Sequence, residues 1–186
     1  MHPKKGFTLI EITISLTVFT IIALAISVAF YKAYSDWRRQ RNISRCLQDA
    51  QWAMTLMSNE IRASNASLMN DSNFTNPPAL YLRLPSGGGN ANNRVWYWRG
   101  NNSDAFGQAT MLYRAERNND QFAQAASSAN RQELASCVVD FNYTVRDRGL
   151  SNSSVALNLT IRPKPLEPER PGNSNITLHT VVRPKN

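Results

Sequence analysis

Few residues in this 186-residue chain could support catalysis or bind a metal. It has two histidines, His2 and His179, and two cysteines, Cys46 and Cys137, and none of them clusters with carboxylates at metal-ligand spacing. No G-x-S-x-G, P-loop, H-E-x-x-H or dinucleotide-binding motif occurs. Alternation along the last predicted strand points His179 away from the core, where nothing would orient it as a base. The sequence therefore predicts no catalytic residue, no metal site and no cofactor.

A carboxylate within an apolar segment is the most informative charged group. Residues 7–31 comprise 25 residues, of which 18 are hydrophobic, and Glu11 is the only charge among them. A charge at the centre of a bilayer costs about 2.5 kcal/mol or more, and such residues usually have a functional partner. Near the start of the segment the cost is smaller, so an interfacial Glu11 that reaches the headgroups is the alternative.

The same segment is long enough to cross a membrane. At about 1.5 Å per residue, a helix over these residues exceeds a hydrocarbon layer of roughly 30 Å. A secretory signal peptide has a shorter apolar region with small residues at the cleavage site that follows it, and this segment has neither feature. The segment therefore does not have the pattern of a cleaved secretory signal, and a plain signal anchor fits these facts.

The residues around Glu11 resemble a known processing signal. Lys4-Lys5-Gly6-Phe7-Thr8-Leu9-Ile10-Glu11, followed by the apolar run, closely resembles the class III signal of type IV pilins and type II secretion pseudopilins. The resemblance implies that a prepilin peptidase cuts between Gly6 and Phe7, and that the new Phe7 amine is N-methylated. It also implies that Glu11 forms a salt bridge with the Phe7 ammonium of a neighbouring subunit, where each charge relieves the desolvation of the other.

The resemblance implies a domain organisation and a location. Residues 1–6 are the leader peptide, 7–31 a transmembrane and filament-core helix, 32–64 an amphipathic helix that continues into the periplasm, and 65–186 the β-sheet part of a globular pilin domain. The chain would sit in the bacterial inner membrane with its N-terminus in the cytoplasm, and in a pilus or pseudopilus after assembly. Basic residues at 32, 38, 39, 41 and 45 favour the reverse orientation by simple counting, but the leader is read by a receptor.

Two periodicities predict the soluble fold. Apolar residues recur every three or four positions from Ile43 to Ile61, which indicates an amphipathic helix whose solvated face carries Asp49 and Glu60. Beyond Leu80 the period changes to two, which predicts strands at 80–84, 95–99, 110–117, 139–145, 155–161 and 176–182. Residues 118–136 and 163–172 are predicted to be linkers, the second an extended excursion. The predicted fold is α+β and pilin-like, with a long N-terminal helix packed on an antiparallel sheet of five or six strands.

Later segments more loosely resemble J-type minor pseudopilins and W-type minor pilins, namely 95–97, 112–114, 134–143 and 179–186. The membrane half of the helix lacks the proline found in many major pilins, which also favours a minor subunit. The implied function is a minor pilin or pseudopilin that helps to initiate assembly near the filament tip. The implied partners are prepilin peptidase, other minor and major pilins or pseudopilins, the inner-membrane assembly platform and membrane lipid.

The two cysteines are predicted to meet. Cys46 lies on the flank of the apolar helix face, and Cys137 shares its parity with Phe141 and Tyr143 on the following strand. Both thiols therefore point to the helix–sheet interface, where an oxidising compartment would join them in a disulfide. Two buried free thiols, acting as small apolar residues, are the alternative.

A DNA-binding pilin for DNA uptake is the alternative function. The chain has a net charge of +8, and Trp96, Trp98 and Arg99 could combine stacking faces with a cation, as in single-strand binding. An ordinary aromatic strand explains the same residues, and the basic residues form no concentrated stripe. Nucleic acid is therefore not the expected partner.

Overall fold

The computed structural model describes residues 8–64, 78–84, 94–117, 131–146, 153–170 and 173–184. The chain divides into two compact units, Met1–Asn42 and Ile43–Asn186. The described residues contain one helix and seven strands: α1 (Leu9–Ala63), β1 (Ala79–Arg83), β2 (Arg94–Arg99), β3 (Leu112–Arg117), β4 (Arg131–Ala135), β5 (Val138–Arg146), β6 (Ser154–Ile161) and β7 (Ile176–Val182).

Helix α1 is uninterrupted over 55 residues. Its sequence contains neither glycine nor proline, so no residue in it breaks the backbone hydrogen-bond ladder. The helix ends at Ala63, where both the backbone N–H and the hydroxyl of Ser64 donate to the carbonyl of Ile61, at 3.1 and 2.7 Å. These bonds satisfy a carbonyl that the end of the helix would otherwise leave without a partner.

The described strands form two antiparallel sheets. The first has the order β1-β2-β3-β4 and the second β5-β6-β7, so each sheet follows the order of the chain. The C-terminal part of α1 covers one face of this arrangement, with Ala50, Ala53, Met57 and Ile61 fully buried. The main core is formed by these residues and by apolar side chains of both sheets. The predicted α+β fold, a long N-terminal helix packed on antiparallel strands, is confirmed.

Alternation predicts one face of each sheet correctly. Leu80 and Leu82 on β1, and Val155, Leu157, Leu159 and Ile161 on β6, are buried as the period of two requires. On β5 the register shifts between Val138 and Asp140. Val138 is buried before the shift, and after it Phe141 is buried while Tyr143 and Val145 pack against the core, because one inserted residue interrupts the alternation.

Several sequence predictions need correction. The strands form two sheets, and Arg131–Ala135, predicted to be part of a linker, is strand β4, paired with β3. The excursion after Ile161 is turned as well as extended: the buried Asn173 side chain accepts from the Lys164 N–H at 2.9 Å and donates to the Lys164 carbonyl at 3.1 Å. The predicted connections over 65–77 and 86–93 lie outside the described residues.

Candidate functional site

The start of α1 is closed by a reciprocal pair of hydrogen bonds between Thr8 and Glu11. The Thr8 backbone N–H and hydroxyl both donate to Glu11 Oε2 at 2.9 Å, and the Glu11 N–H donates to Thr8 Oγ1 at 3.4 Å. Thr8 precedes the first helical residue and Glu11 is the third, so the pair is a capping box. The T-x-x-E spacing was visible in the sequence, but the predictions for Glu11 considered a partner in another subunit or the lipid headgroups and did not include a capping role.

The capping box leaves Glu11 able to serve a second partner. Both bonds from Thr8 end on Oε2, so Oε1 is not engaged by them and can accept from a further donor. A carboxylate can accept several hydrogen bonds at once, and a cation is its strongest partner. Gly6 and Phe7, the predicted cleavage and methylation residues, lie outside the described residues. The expected salt bridge between Glu11 and a neighbour's Phe7 amine therefore stays a prediction.

The apolar part of α1 presents its side chains outward. The helix is long and apolar enough to cross a membrane, and none of its most apolar stretch is buried against the described chain. Side chains such as Leu9, Phe19 and Phe30 are 83%, 68% and 71% exposed. Such a surface requires lipid or other apolar helices around it, because exposing it to water would be strongly unfavourable. The helix is thus compatible with single-pass anchoring in the inner membrane.

Four hydroxyl groups within this segment are satisfied by their own helix. Those of Thr13, Thr17, Thr20 and Ser27 each donate to the carbonyl three or four residues earlier, at 2.7 to 2.9 Å. In a bilayer, each unpaired hydroxyl would carry a desolvation cost. These internal bonds let the four hydroxyls enter the membrane without a partner chain.

Cys46 and Cys137 are joined in a disulfide within the soluble unit. Their Cα atoms lie 5.9 Å apart, and the bond links positions separated by 91 residues. Cys46 lies on α1, and Cys137 lies in the two-residue corner between β4 and β5, where the chain passes from the first sheet to the second. Cys137 has a φ of 64°, the left-handed region that non-glycine residues rarely occupy. The disulfide thus ties α1 to the corner at which the two sheets meet.

A hydrogen bond adds a second link to the same corner. The Ser136 hydroxyl donates to Asp49 Oδ2 at 3.1 Å, and Asp49 lies one turn after Cys46 on the same face of α1. The sequence assigned Asp49 to the solvated face, and its side chain is in fact partly buried at the interface. A polar side chain at the edge of a helix–sheet interface can find its hydrogen-bond partner on the other element. The periodicity of the helix alone does not reveal such a partner.

Glu60 lies in a charged cluster between α1 and the first sheet. It accepts from Arg114 at 2.7 and 3.0 Å and from the Tyr97 hydroxyl, while Arg114 also donates to Glu116 at 2.8 Å. The Glu60 and Arg114 side chains are only 13% and 15% exposed. The prediction that Glu60 belongs to the solvated face is therefore wrong, because a cation and a phenol from the sheet compensate its desolvation.

Burial and the neighbouring charges shift the titration of this cluster. Burial first, and the negative charge of Glu60 next, raise the pKa of the Tyr97 phenol well above its ordinary value. Burial alone would lower the pKa of Arg114, but hydrogen bonds to Glu60 and Glu116 outweigh it, so the pKa is raised. Tyr97 is therefore a neutral donor and Arg114 a fixed cation at any physiological pH, which suits a structural link.

The residues proposed to contact DNA are not available for base stacking. Trp96 and Trp98 are both fully buried on the face of the first sheet that is opposite α1. Trp98 stacks on Tyr113, with their ring centroids 5.7 Å apart. The Trp98 indole N–H donates to the Phe106 carbonyl at 3.0 Å. Arg99 donates to the Ala109 carbonyl at 2.7 Å. Trp96 and Trp98 therefore offer no stacking face, and the alternative of a DNA-binding pilin loses the observation on which it rested.

His179 is the other residue that the sequence analysis considered for chemistry. His179 is exposed, as alternation predicts, and borders an open groove of about 500 Å³ between α1 and β7. The groove is lined by Gln51, Met54, Thr55, Ser58, Asn59, Arg62, Leu178, His179 and Thr180. Among the described residues, no group of histidine, cysteine and carboxylate side chains could hold a metal ion.

A known motif covers the start of the chain. Residues 1–27 match the family described as the prokaryotic N-terminal methylation motif. The match includes the leader, Gly6, Phe7, the capping box and most of the apolar segment. Comparison with curated proteins and with solved structures found no match. The motif indicates a type IV pilin-like or pseudopilin precursor, and hence a structural subunit that is processed by a prepilin peptidase and assembles with other pilins.

Proposed function

We propose that this chain is a minor pilin or pseudopilin that helps to initiate a type IV pilus or a type II secretion pseudopilus and lies near its tip. The observation that carries the proposal is the combination of Gly6-Phe7 with Glu11 at the head of an uninterrupted apolar helix. In this proposal, cleavage after Gly6 creates the Phe7 amine, and the helix remains in the membrane until assembly.

The geometry of Glu11 supports a role in setting the register between subunits. Its Oε2 is held by Thr8, which fixes the carboxylate at the start of the helix, and Oε1 can accept the ammonium of a neighbour. Two opposite charges in an apolar helix bundle attract strongly, and either one alone is costly there. A neighbour shifted along the axis would leave both charges unpaired, so one axial register is favoured.

The exposed apolar surface of α1 also supports a role in filament assembly. Before assembly it is solvated by lipid, and in a filament it would be covered by the corresponding helices of other subunits. The hydroxyls that bond to their own helix carry no unmet hydrogen-bonding requirement into either environment. These hydroxyls can therefore pass from lipid to a bundle without exchanging their hydrogen-bond partners.

The minor role rests on sequence features. The membrane half of α1 lacks the proline of many major pilins, and the later segments resemble J-type and W-type minor subunits. A DNA receptor is less well supported, because the two tryptophans that would stack on bases are buried. Assembly initiation is therefore the function that the chain supports best.

A clean deletion in the source bacterium tests this proposal. The number of filaments per cell should fall. The filaments that still form should have the ordinary subunit composition, because failed initiation affects how many filaments start and not which subunits they contain. Expression of the full chain from a plasmid should restore filament number. Filaments at wild-type number in the deletion, together with salt-sensitive DNA binding by the purified full chain, would instead support a DNA receptor.

A further inference from the structure

Aromatic and basic side chains follow the apolar part of α1 directly. Tyr31, Tyr34 and Trp37 come after Phe30, with Lys32 between the two tyrosines, and Arg38, Arg39 and Arg41 follow Trp37. Asp36 is the single carboxylate between Lys32 and Arg41, so the segment carries four positive charges against one negative charge. We call Tyr34, Trp37, Arg38 and Arg41 the basic–aromatic collar.

The collar is ordered by contacts within the helix. The Arg38 guanidinium lies over the Tyr34 ring, 5.2 Å from its centroid, and the Arg41 guanidinium lies over the Trp37 ring at 5.5 Å. The two rings are stacked with their centroids 6.1 Å apart. Cation–π contacts at exposed sites restrict the arginine side chains without neutralising their charge. Both guanidinium groups therefore remain able to bind an anion.

These contacts shift the two guanidinium groups along α1 towards the apolar segment, relative to the Cα atoms of Arg38 and Arg41. Side chains on a helix lean towards its N-terminus, and a guanidinium held over a ring four residues earlier is carried back by about 6 Å. The 22 residues of Leu9–Phe30 span about 33 Å as a helix, which matches a hydrocarbon core of roughly 30 Å. The rings of Tyr34 and Trp37 then lie within about 10 Å of the hydrocarbon edge, at the depth where interfacial aromatic residues are found.

We infer that the basic–aromatic collar binds the phosphate groups of anionic phospholipids in the leaflet at the C-terminal end of the membrane segment. Arginine has a planar fork of donors that matches phosphate, and its aliphatic stem can lie along an apolar surface. Anionic lipid attracts basic residues that flank a membrane segment. The inference rests on the proposed function in one respect, since it requires that α1 crosses the membrane.

This inference gives the basic flank a role that the orientation rule does not. By simple counting, so many basic residues beyond the apolar segment oppose transfer to the outer side of the membrane. Once transferred, cations paired with lipid phosphate would resist return and would fix the depth of α1. The collar would thus hold the subunit at a defined height before assembly.

The test compares brominated lipids as quenchers of tryptophan fluorescence. The full chain is reconstituted in phosphatidylcholine vesicles that contain equal fractions of acyl-brominated phosphatidylglycerol or acyl-brominated phosphatidylcholine. Trp52 is exposed, so every chain compared carries Trp52→Phe. Trp96 and Trp98 are buried and should contribute a constant signal, whereas Trp37 lies at the membrane edge and reports the lipid around it. We expect stronger quenching by the brominated phosphatidylglycerol, which reports enrichment of the anionic lipid around the collar.

Matched variants identify the cations responsible. Arg38→Gln/Arg41→Gln should reduce the preference for the anionic lipid by on the order of tenfold, given the attraction of each basic residue to an anionic surface. Arg45→Gln/Arg62→Gln removes the same charge from two other exposed arginines of α1 and should retain the preference. Sodium phosphate should weaken the preference no more than sodium chloride at equal ionic strength. Specific competition by phosphate would indicate a site for a soluble anion and overturn the assignment to lipid.

Two further outcomes would contradict the inference in different ways. Equal quenching of the wild-type chain by both brominated lipids would overturn the collar as a lipid site and leave the proposed function intact. Quenching of Trp37 by neither lipid would show that α1 does not cross the bilayer, and would overturn the inference together with the membrane topology of the proposed function.

Discussion

Glu60 of α1 and Arg114 of β3 form an ion pair, with Arg114 Nη2 and Glu60 Oε1 2.7 Å apart. The two residues are 54 positions apart in the sequence, and their side chains are largely buried where the helix meets the first sheet. The Tyr97 hydroxyl donates to the same carboxylate. The pair therefore fixes the soluble end of the helix against the middle strands of the sheet.

Replacing Glu60 with glutamine should destabilise the soluble unit. The variant would leave the buried Arg114 charge with only the more exposed Glu116, and loss of one partner from a buried pair costs about 3 kcal/mol. Glu167→Gln is the matched control, because Glu167 also binds two cations, Lys164 and Arg170, but at exposed positions. The free energy of unfolding should change much less in this control, because solvent screens exposed ion pairs. Chemical denaturation of the full chain in detergent measures both, and equal losses would contradict the structural role of the Glu60 pair.

The Tyr97 phenol should make the fold sensitive to alkali. Its pKa is raised in the folded chain, so the unfolded chain releases this proton first and stability falls as the pH rises above about 10. The contribution is fully present at neutral pH. Tyr97→Phe should lower stability at neutral pH and flatten its decline above pH 10, whereas Tyr31→Phe, at an exposed position, should change neither. A decline of unchanged slope in Tyr97→Phe would show that other groups cause the alkaline loss.

Periodicity predicted the fold class and most of the strands. It failed for two charged residues of α1, which it assigned to the solvated face although they lie at the helix–sheet interface. Apolar residues at a period of two identified β6 because that strand has one buried face. Glu60 and Asp49 were assigned to solvent because their partners, Arg114 and Ser136, lie far away in the sequence. β4 was missed because Arg131–Ala135 has only two buried residues, at its end, and shows no alternation.

Peptide mapping without reduction should recover Cys46 linked to Cys137. The crosslink closes a long loop and should contribute about 4 kcal/mol to the free energy of unfolding, mainly by restricting the unfolded chain. Cys46→Ser/Cys137→Ser should therefore unfold at lower denaturant, and a reductant should lower the stability of the wild type but not of the double variant. Full alkylation of both cysteines in unreduced, unfolded protein would show that the thiols are free in the cell.

Variants of the capping box can separate the two roles of Glu11. Glu11→Gln retains an acceptor for Thr8 but removes the charge, whereas Thr8→Val retains the charge and removes the hydroxyl. If Glu11 pairs with a neighbour's Phe7 amine, Glu11→Gln and Glu11→Ala should both insert in the membrane yet co-purify poorly with partner subunits. Thr8→Val should co-purify normally with partner subunits. It should lose only about 1 kcal/mol of helix stability, because the N-cap hydroxyl is removed. The opposite ranking, with Glu11→Gln normal and Thr8→Val impaired, would assign Glu11 to helix capping alone.

The part of the candidate site that could be predicted consists of residues that lie close together in the sequence. Gly6, Phe7 and Glu11 lie within six consecutive positions, so the sequence identified them without knowledge of the fold. The burial of Trp96 and Trp98, by contrast, could not be predicted from neighbouring residues. Their exposure depends on Tyr81, Phe106 and Tyr113, which pack over them from other parts of the sheet and its connections. Composition alone does not distinguish an aromatic residue on a surface from one beneath a loop.

Intact-mass analysis of the chain from cells with an active prepilin peptidase tests the central claim most directly. If the chain is a prepilin-class subunit, the mature protein begins at Phe7 and carries one added methyl group, and Gly6→Leu leaves the precursor unprocessed in the membrane. A mature protein that retains residues 1–6 in that background would contradict the account.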